Sequence, residues 1–320
     1  GANGVLFSGL AAGWASPRLT TIGEFEDKGI SGPATFDVTD DYVFGFAGSD
    51  GTPVHFIEDA NLLLGRGSSS FGSFGGVCGM PAMVQRISTW DLSVFAAASP
   101  MDVQFPASLD PSAGHRYEVD LRLQEFPPGT SPAPTYAPLP YLGARFENGA
   151  LQASGEFVLD SAAGITILGP AGADALGLDT DEDGDFEDET DLFIDLGGVS
   201  GTVSVPLFTV DRLALPTGSG VDLVWTDVQI GVLDIDPRVP GILGMDLFTS
   251  GWLPAALGSE VPGYIQKMQL DFRQASSLSG TLHLDLSPGV DVEEGGAPVP
   301  EPATFLLFLV AGLLLVRKRG

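Results

Sequence analysis

Two stretches of this chain carry residues whose types and spacing could do chemistry. In the first, an apolar run, Phe157-Val158-Leu159, delivers Asp160 into a loop of small residues, Ser161-Ala162-Ala163-Gly164. A second apolar run, Ile165-Thr166-Ile167-Leu168, leaves that loop. A carboxylate placed this way can cap a turn or do acid–base work, and these residues alone leave both open. The second stretch sets carboxylates at Asp179, Asp181, Asp183 and Asp185, with Gly184 among them and Glu187 beyond. Oxygens at alternate positions followed by a glycine match the opening of a calcium loop, where the glycine permits the sharp turn. Thr190 stands where a full EF-hand needs its glutamate. The spacing therefore points to a shorter, extracellular-type loop holding a structural Ca²⁺, with a solvated acidic insertion as the alternative. His55, His115 and His283 show no ligand spacing and read as surface or partly buried residues.

The elements that must position these residues come from an internal repeat. Gly29-Ile30-Ser31-Gly32, running on to Gly48-Ser49-Asp50-Gly51, aligns with Gly198-Val199-Ser200-Gly201, running on to Gly218-Ser219-Gly220. Upstream, Gly1-Ala2-Asn3-Gly4-Val5-Leu6-Phe7 aligns with Ala162-Ala163-Gly164-Ile165-Thr166-Ile167-Leu168. Downstream, Gly76-Val77-Cys78-Gly79-Met80-Pro81 aligns with Gly241-Ile242-Leu243-Gly244-Met245-Asp246. Blocks recurring in one order at similar spacing argue for duplicated lobes. Asp160-Ser161 precede the second copy, so the equivalent pair of the first copy is expected just ahead of residue 1. Cys78, the single cysteine, takes the slot of Leu243; it excludes an internal disulfide and reads as a small core residue.

A length of 320 residues suffices for two cores and a tail, and 44% hydrophobic content excludes global disorder. The 43 glycines and 24 prolines favour short strands and turns. Glu118 to Leu123 and Thr281 to Leu286 alternate as half-buried strands do, and Gly169 to Leu178 is the best helical stretch. A net charge of −28 repels phosphate backbones and excludes nucleic acid as a partner. The expected fold is all-β: a first β-barrel lobe over 1–126, a Pro-rich connection over 127–140, and a second lobe over 141–286 with the acidic insertion 179–191. An acidic Gly/Pro linker over 287–298 follows.

The Asp160 loop together with Gly241-Ile242-Leu243-Gly244 resembles the aspartic peptidases of the pepsin and retropepsin kind. Their lobes each combine Asp-Thr/Ser-Gly with a later hydrophobic-hydrophobic-Gly segment. The resemblance implies that Asp160, with Ser161 beside it, is one half of a catalytic pair. Two close carboxylates share a proton and activate a water, with no metal or cofactor in catalysis. It also implies that Gly1, Ala2, Ala162 and Ala163 let the two loops approach, with Ala162 where the family usually has glycine. Gly79 and Gly244 would support those loops. Gly29, Ile30, Ser31 and Gly32 would form a flap over an extended peptide substrate. The alternative is a non-catalytic cell-envelope or extracellular-matrix binding protein that reuses the fold.

The C-terminus has a separate signature. Val299-Pro300-Glu301-Pro302 precedes an apolar run from Phe305 to Val316 and the basic Arg317-Lys318-Arg319. That run is shorter than the ~20 residues of a comfortable spanning helix, and the basic end suits the cytoplasmic side. Residues 299–320 closely resemble the PEP-CTERM sorting signal of Gram-negative bacteria. The resemblance implies export, a short transmembrane helix anchoring the chain in the inner membrane, and processing by an exosortase into the envelope or extracellular space.

Overall fold

A computed structural model describes residues 4–15, 19–30, 32–47, 51–66, 75–92, 103–112, 116–125, 134–198, 201–236, 239–249, 265–286 and 316–318. In the N-terminal part, β1 (Val5–Phe7), α1 (Gly9–Ala15), β2 (Thr21–Gly29), β3 (Gly32–Ala47), β4 (Pro53–Gly65) and β5 (Gly76–Cys78) follow one another. Their sheet has the order β2-β3-β4-β1-β5. Next come β6 (Ile87–Asp91), β7 (Val103–Gln104) and β8 (Arg116–Gln124).

The C-terminal part opens with β9 (Leu139–Asn148) and β10 (Leu151–Leu159). It then repeats the earlier succession as β11 (Ile167–Leu168), α2 (Pro170–Ala175), β12 (Leu192–Gly198), β13 (Gly201–Pro216), β14 (Asp222–Val232) and β15 (Gly241–Leu243). These strands have the order β12-β13-β14-β11-β15, matching the first sheet position for position. β10 lies on the far side of β15, followed by β9, and β9 pairs back onto β13, which closes this lobe into a barrel. α3 (Asp246–Thr249), β16 (Ile265–Asp271) and β17 (Ser279–Leu286) complete it.

Register confirms the duplication at the level of single residues. Leu6 pairs with Val77 as Ile167 pairs with Ile242, and Phe7 with Gly76 as Leu168 with Gly241. Leu6 runs parallel to Leu63 as Ile167 does to Gly231. Gly76 and Gly241 have the same steric reason. A Cβ on either would collide with the backbone oxygen of its partner segment, Leu6 in one lobe and Ile167 in the other. Asp59 and Asp227, at equivalent bends of β4 and β14, both adopt the left-handed conformation at φ 51°.

The lobes interleave rather than merely abut. β8 of the first lobe pairs with β17 and β9 of the second, and β6 pairs with β16. At this seam Arg116 donates to both oxygens of buried Asp285 at 2.6 and 2.7 Å, and to Gln269 Oε1 at 2.9 Å. Gln269, wholly buried, passes the link to Thr89 Oγ1 at 2.9 Å. One core cluster runs through both lobes, with Phe146, Phe157, Leu213 and Trp225 at its centre in the second. Trp225 Nε1 donates to the Leu247 carbonyl at 2.9 Å, so the indole's polar atom is satisfied inside the core.

Several expectations meet the structure at specific places. The helical stretch at Gly169 becomes α2, started by Pro170 after extended Gly169, with Gly177 beyond it at φ +68°. Leu139 and Pro140, included in the connection by composition, already pair with Gln124 and Leu123 as the start of β9. Gly1, Ala2, Ser31, residues 127–133, the 287–298 linker and Val299, Pro300, Glu301 and Pro302 lie outside the described residues. So does the apolar run up to residue 315. Val316, the last residue of that run, is not helical: Val316–Lys318 form a strand, β18, beside Leu192–Ile194. Among the described residues, no helix is long and apolar enough to cross a membrane.

Candidate active site

Phe157, Val158 and Leu159 are buried because β10 has neighbours on both edges, β9 and β15, and core on its face. Val158 and Leu159 run parallel to Ile242 and Leu243, and the chain leaves the sheet at Asp160. The Asp160 N–H still donates to the Leu243 carbonyl at 3.0 Å. The loop then tightens. Ala163 N–H donates to the Asp160 carbonyl at 3.1 Å, and Ala162 N–H donates to Asp160 Oδ1 at 2.8 Å. Met245 N–H returns to the Ala163 carbonyl at 2.8 Å, so the last residue of β15 and the segment after it hold the loop at Asp160 and at Ala163.

Asp160 is half-buried at this point. Burial works against its ionisation, while the N–H groups of Ala162 and Ala163 favour the carboxylate. Ala162 is exposed and is not among the non-glycine residues at positive φ, so a Cβ is accommodated where glycine was expected. Ser161 sits in the same turn, half-buried.

Gly244 supports this loop from below. A Cβ there would stand 2.5 Å from the Ile165 carbonyl oxygen, a backbone atom with no room to yield. Its N–H donates to Thr166 Oγ1 at 3.2 Å. Thr166 in turn holds Asp246, giving its N–H to Oδ2 and its hydroxyl to Oδ1, each at 2.9 Å. Burial raises the Asp246 pKa to about 6 against the effect of these bonds. The Thr166–Asp246 link had no role in the sequence reading. Its signals were a threonine inside an apolar run and an aspartate directly after Gly-Ile-Leu-Gly-Met. In the first lobe Gly79 N–H donates to the Gly4 carbonyl at 3.0 Å. There Val5 and Pro81 occupy the places of Thr166 and Asp246, so that support belongs to the second lobe alone.

Gly29 pairs with Gly32 at the tip of the β2–β3 hairpin, and Gly198 with Gly201 at the tip of β12–β13. Gly32 and Gly201 lie at φ +114° and +140°, which explains the glycine at that corner in both copies. The two tips meet: a Cβ on Gly198 would stand 2.6 Å from Ile30 Cγ1. Lower down, Leu196 packs in one cluster with Ala163 and Ile165 of the Asp160 loop, and Val203 in another with Ile165. The second hairpin therefore shares its hydrophobic core with the loop that carries Asp160.

The remaining candidates fall elsewhere. Asp179, Asp181 and Asp183 come together, whereas Asp185 and Glu187 fall outside that group. Burial pushes the Cys78 thiol up to about 12, far from a nucleophile's range. Burial also lowers His55 and His283; His55 donates to the Ala82 carbonyl at 2.8 Å and stacks on Phe46.

The family model described as "Aspartyl protease" matches residues 144–247, which span β10, the Asp160 loop and the Gly241–Asp246 segment. No curated protein matches the chain. Solved structures that are similar include a retropepsin-like aspartic protease from Rickettsia conorii, at 11% identity and TM-score 0.29, over 56% of this chain and 100% of that one. Another is Basic 7S globulin from soybean, at 11% identity and TM-score 0.41, over 93% and 90%. Residues 144–247 of this chain are therefore similar to the aspartyl proteases.

Proposed function

We propose that this chain is an exported aspartic endopeptidase in which Asp160 is one half of a water-activating carboxyl pair. The observation that carries the reading is the Asp160 loop itself, clamped by Leu243 and Met245 and lying inside the aspartyl-protease match. The partner carboxyl would come from the first lobe, at the position that the repeat makes equivalent to Asp160. With one proton shared, the ionised member takes a proton from water as it attacks the peptide carbonyl, and the protonated member donates to the carbonyl oxygen. The leaving amine is protonated as the tetrahedral intermediate collapses. The touching hairpin tips at Ile30 and Gly198 supply a cover under which an extended peptide could lie. The tail from Val299 to Arg319 supports export, anchoring in the inner membrane and exosortase processing.

The test uses the full-length protein. Hydrolysis of an unfolded protein is followed from acidic to neutral pH, beside the Asp160→Asn variant. The expected result is cleavage that falls by about 10³-fold in the variant. Equal cleavage by both proteins rejects the mechanism. The second reading, a binding protein of the same fold, draws on the Val5 and Pro81 that replace the Thr166–Asp246 support in the first lobe. Retention of an unfolded chain without cleavage at any pH would establish it instead.

A further inference from the structure

The loop between α2 and β12 does more than connect them. Phe186 is buried between the exposed residues 180–185 and 187–188 and packs edge-on against Phe208 of β13, with ring centroids 6.3 Å apart. Thr190 Oγ1 donates to the Leu207 carbonyl at 3.1 Å, and Leu192 N–H donates back to Thr190 Oγ1 at 3.1 Å. Glu189 closes the start of the loop by accepting from the N–H and hydroxyl of Thr180, at 2.7 and 2.9 Å to its Oε1. The loop is thus closed on itself through Thr180 and Glu189 and pinned to the root of the β12–β13 hairpin through Phe186 and Thr190.

Inside this frame one carboxyl oxygen each of Asp179, Asp181 and Asp183 lie within 4.8 Å of one another. That separation is about twice a calcium–oxygen bond of roughly 2.4 Å, so all three can reach one ion. An independent observation is Asp179 itself. It is only 8% exposed; its Oδ2 accepts the Gly184 N–H at 2.9 Å, while its Oδ1 is buried with no hydrogen-bond partner. A buried carboxylate oxygen left unsatisfied beside two further carboxylates is costly unless a cation answers it. Gly184, at φ +81°, makes the turn that brings its N–H onto Asp179.

We propose that Asp179, Asp181 and Asp183 form a Ca²⁺ site that fastens the root of the β12–β13 hairpin, whose strands share core clusters with the Asp160 loop. The ligands are hard oxygens on a flexible loop, a set that suits calcium over magnesium's smaller, stricter shell. The site stands independently of peptidase activity and is read without it.

The test is titration of the full chain, stripped by chelator, with calcium chloride and separately with magnesium chloride, followed by calorimetry and thermal melting. One calcium per chain is expected, with a Kd on the order of 10⁻⁴ M and a rise in Tm that chelator reverses. Asp183→Asn changes an exposed residue and should weaken calcium by about tenfold or more while leaving the chelated protein's melt as it was. Asp179→Asn should abolish binding; if that variant does not fold, Asp183→Asn carries the test. No heat and no Tm shift in the parent overturn the site, as does an Asp183→Asn variant that binds calcium as tightly as the parent. Amide exchange in Leu192–Pro206 should slow when calcium is added, and unchanged exchange there overturns the fastening role.

Discussion

Thr166 grips Asp246 twice, its N–H and its hydroxyl reaching different carboxylate oxygens at the same 2.9 Å. The pair ties the strand leaving the Asp160 loop to the helix after β15. Met245, one residue before Asp246, bonds the loop itself. The position of Asp160 therefore depends on a second aspartate in the interior of its own lobe.

A pH dependence follows. Burial raises Asp246 to about 6 in the folded state, above its unfolded value. Between those values the folded state binds more protons, so this group's contribution to stability falls as pH rises across the window and is level above it. The drop is at most roughly 3 kcal/mol. Asp246→Asn should flatten the slope in urea titrations at stepped pH. Thr166→Val, which removes the hydroxyl donor, should cost about 1–2 kcal/mol at neutral pH.

Equivalent glycines should fail equivalently. Gly76→Ala and Gly241→Ala each press a methyl into a backbone carbonyl. Both should lower stability by about 2–3 kcal/mol or prevent folding. Gly143→Ala, on an exposed face of β9 with nothing within 4 Å, should stay within about 0.5 kcal/mol of the parent. Denaturant midpoints decide.

At the seam between the lobes, Arg116→Met strands Asp285, which is 5% exposed. The expected loss is about 3–5 kcal/mol. Adding Asp285→Leu should recover most of it, since a buried pair is often replaceable by apolar packing. A double-mutant cycle in denaturant measures the coupling.

Ile30→Gly removes the contact between the hairpin tips while leaving the core untouched. Stability should move by less than about 0.5 kcal/mol. Under the peptidase reading, KM for an unfolded substrate should rise severalfold; an unchanged KM would mean that the tips do not cover the substrate.

Much of the fold is legible in the chain because duplication and alternation are local signals. The Gly-x-Ser-Gly blocks mark hairpin tips, and the Gly76 and Gly241 blocks mark strands that must pass close to another backbone. The apolar run into Asp160 announces a strand delivering a carboxylate to a turn, and alternate acids around Gly184 announce a loop. What tertiary structure decided are relations between residues distant in sequence, which no period encodes. Thr166 found Asp246, Arg116 and Thr89 found each other through Gln269, and Ile30 met Gly198. Likewise, composition could not show that Asp179 alone among the loop's first acids would be buried while Asp185 and Glu187 stayed outside the cluster. Burial is set by what packs around a residue in three dimensions. A polar side chain acquires its partner only when the sheet closes and its water is taken away.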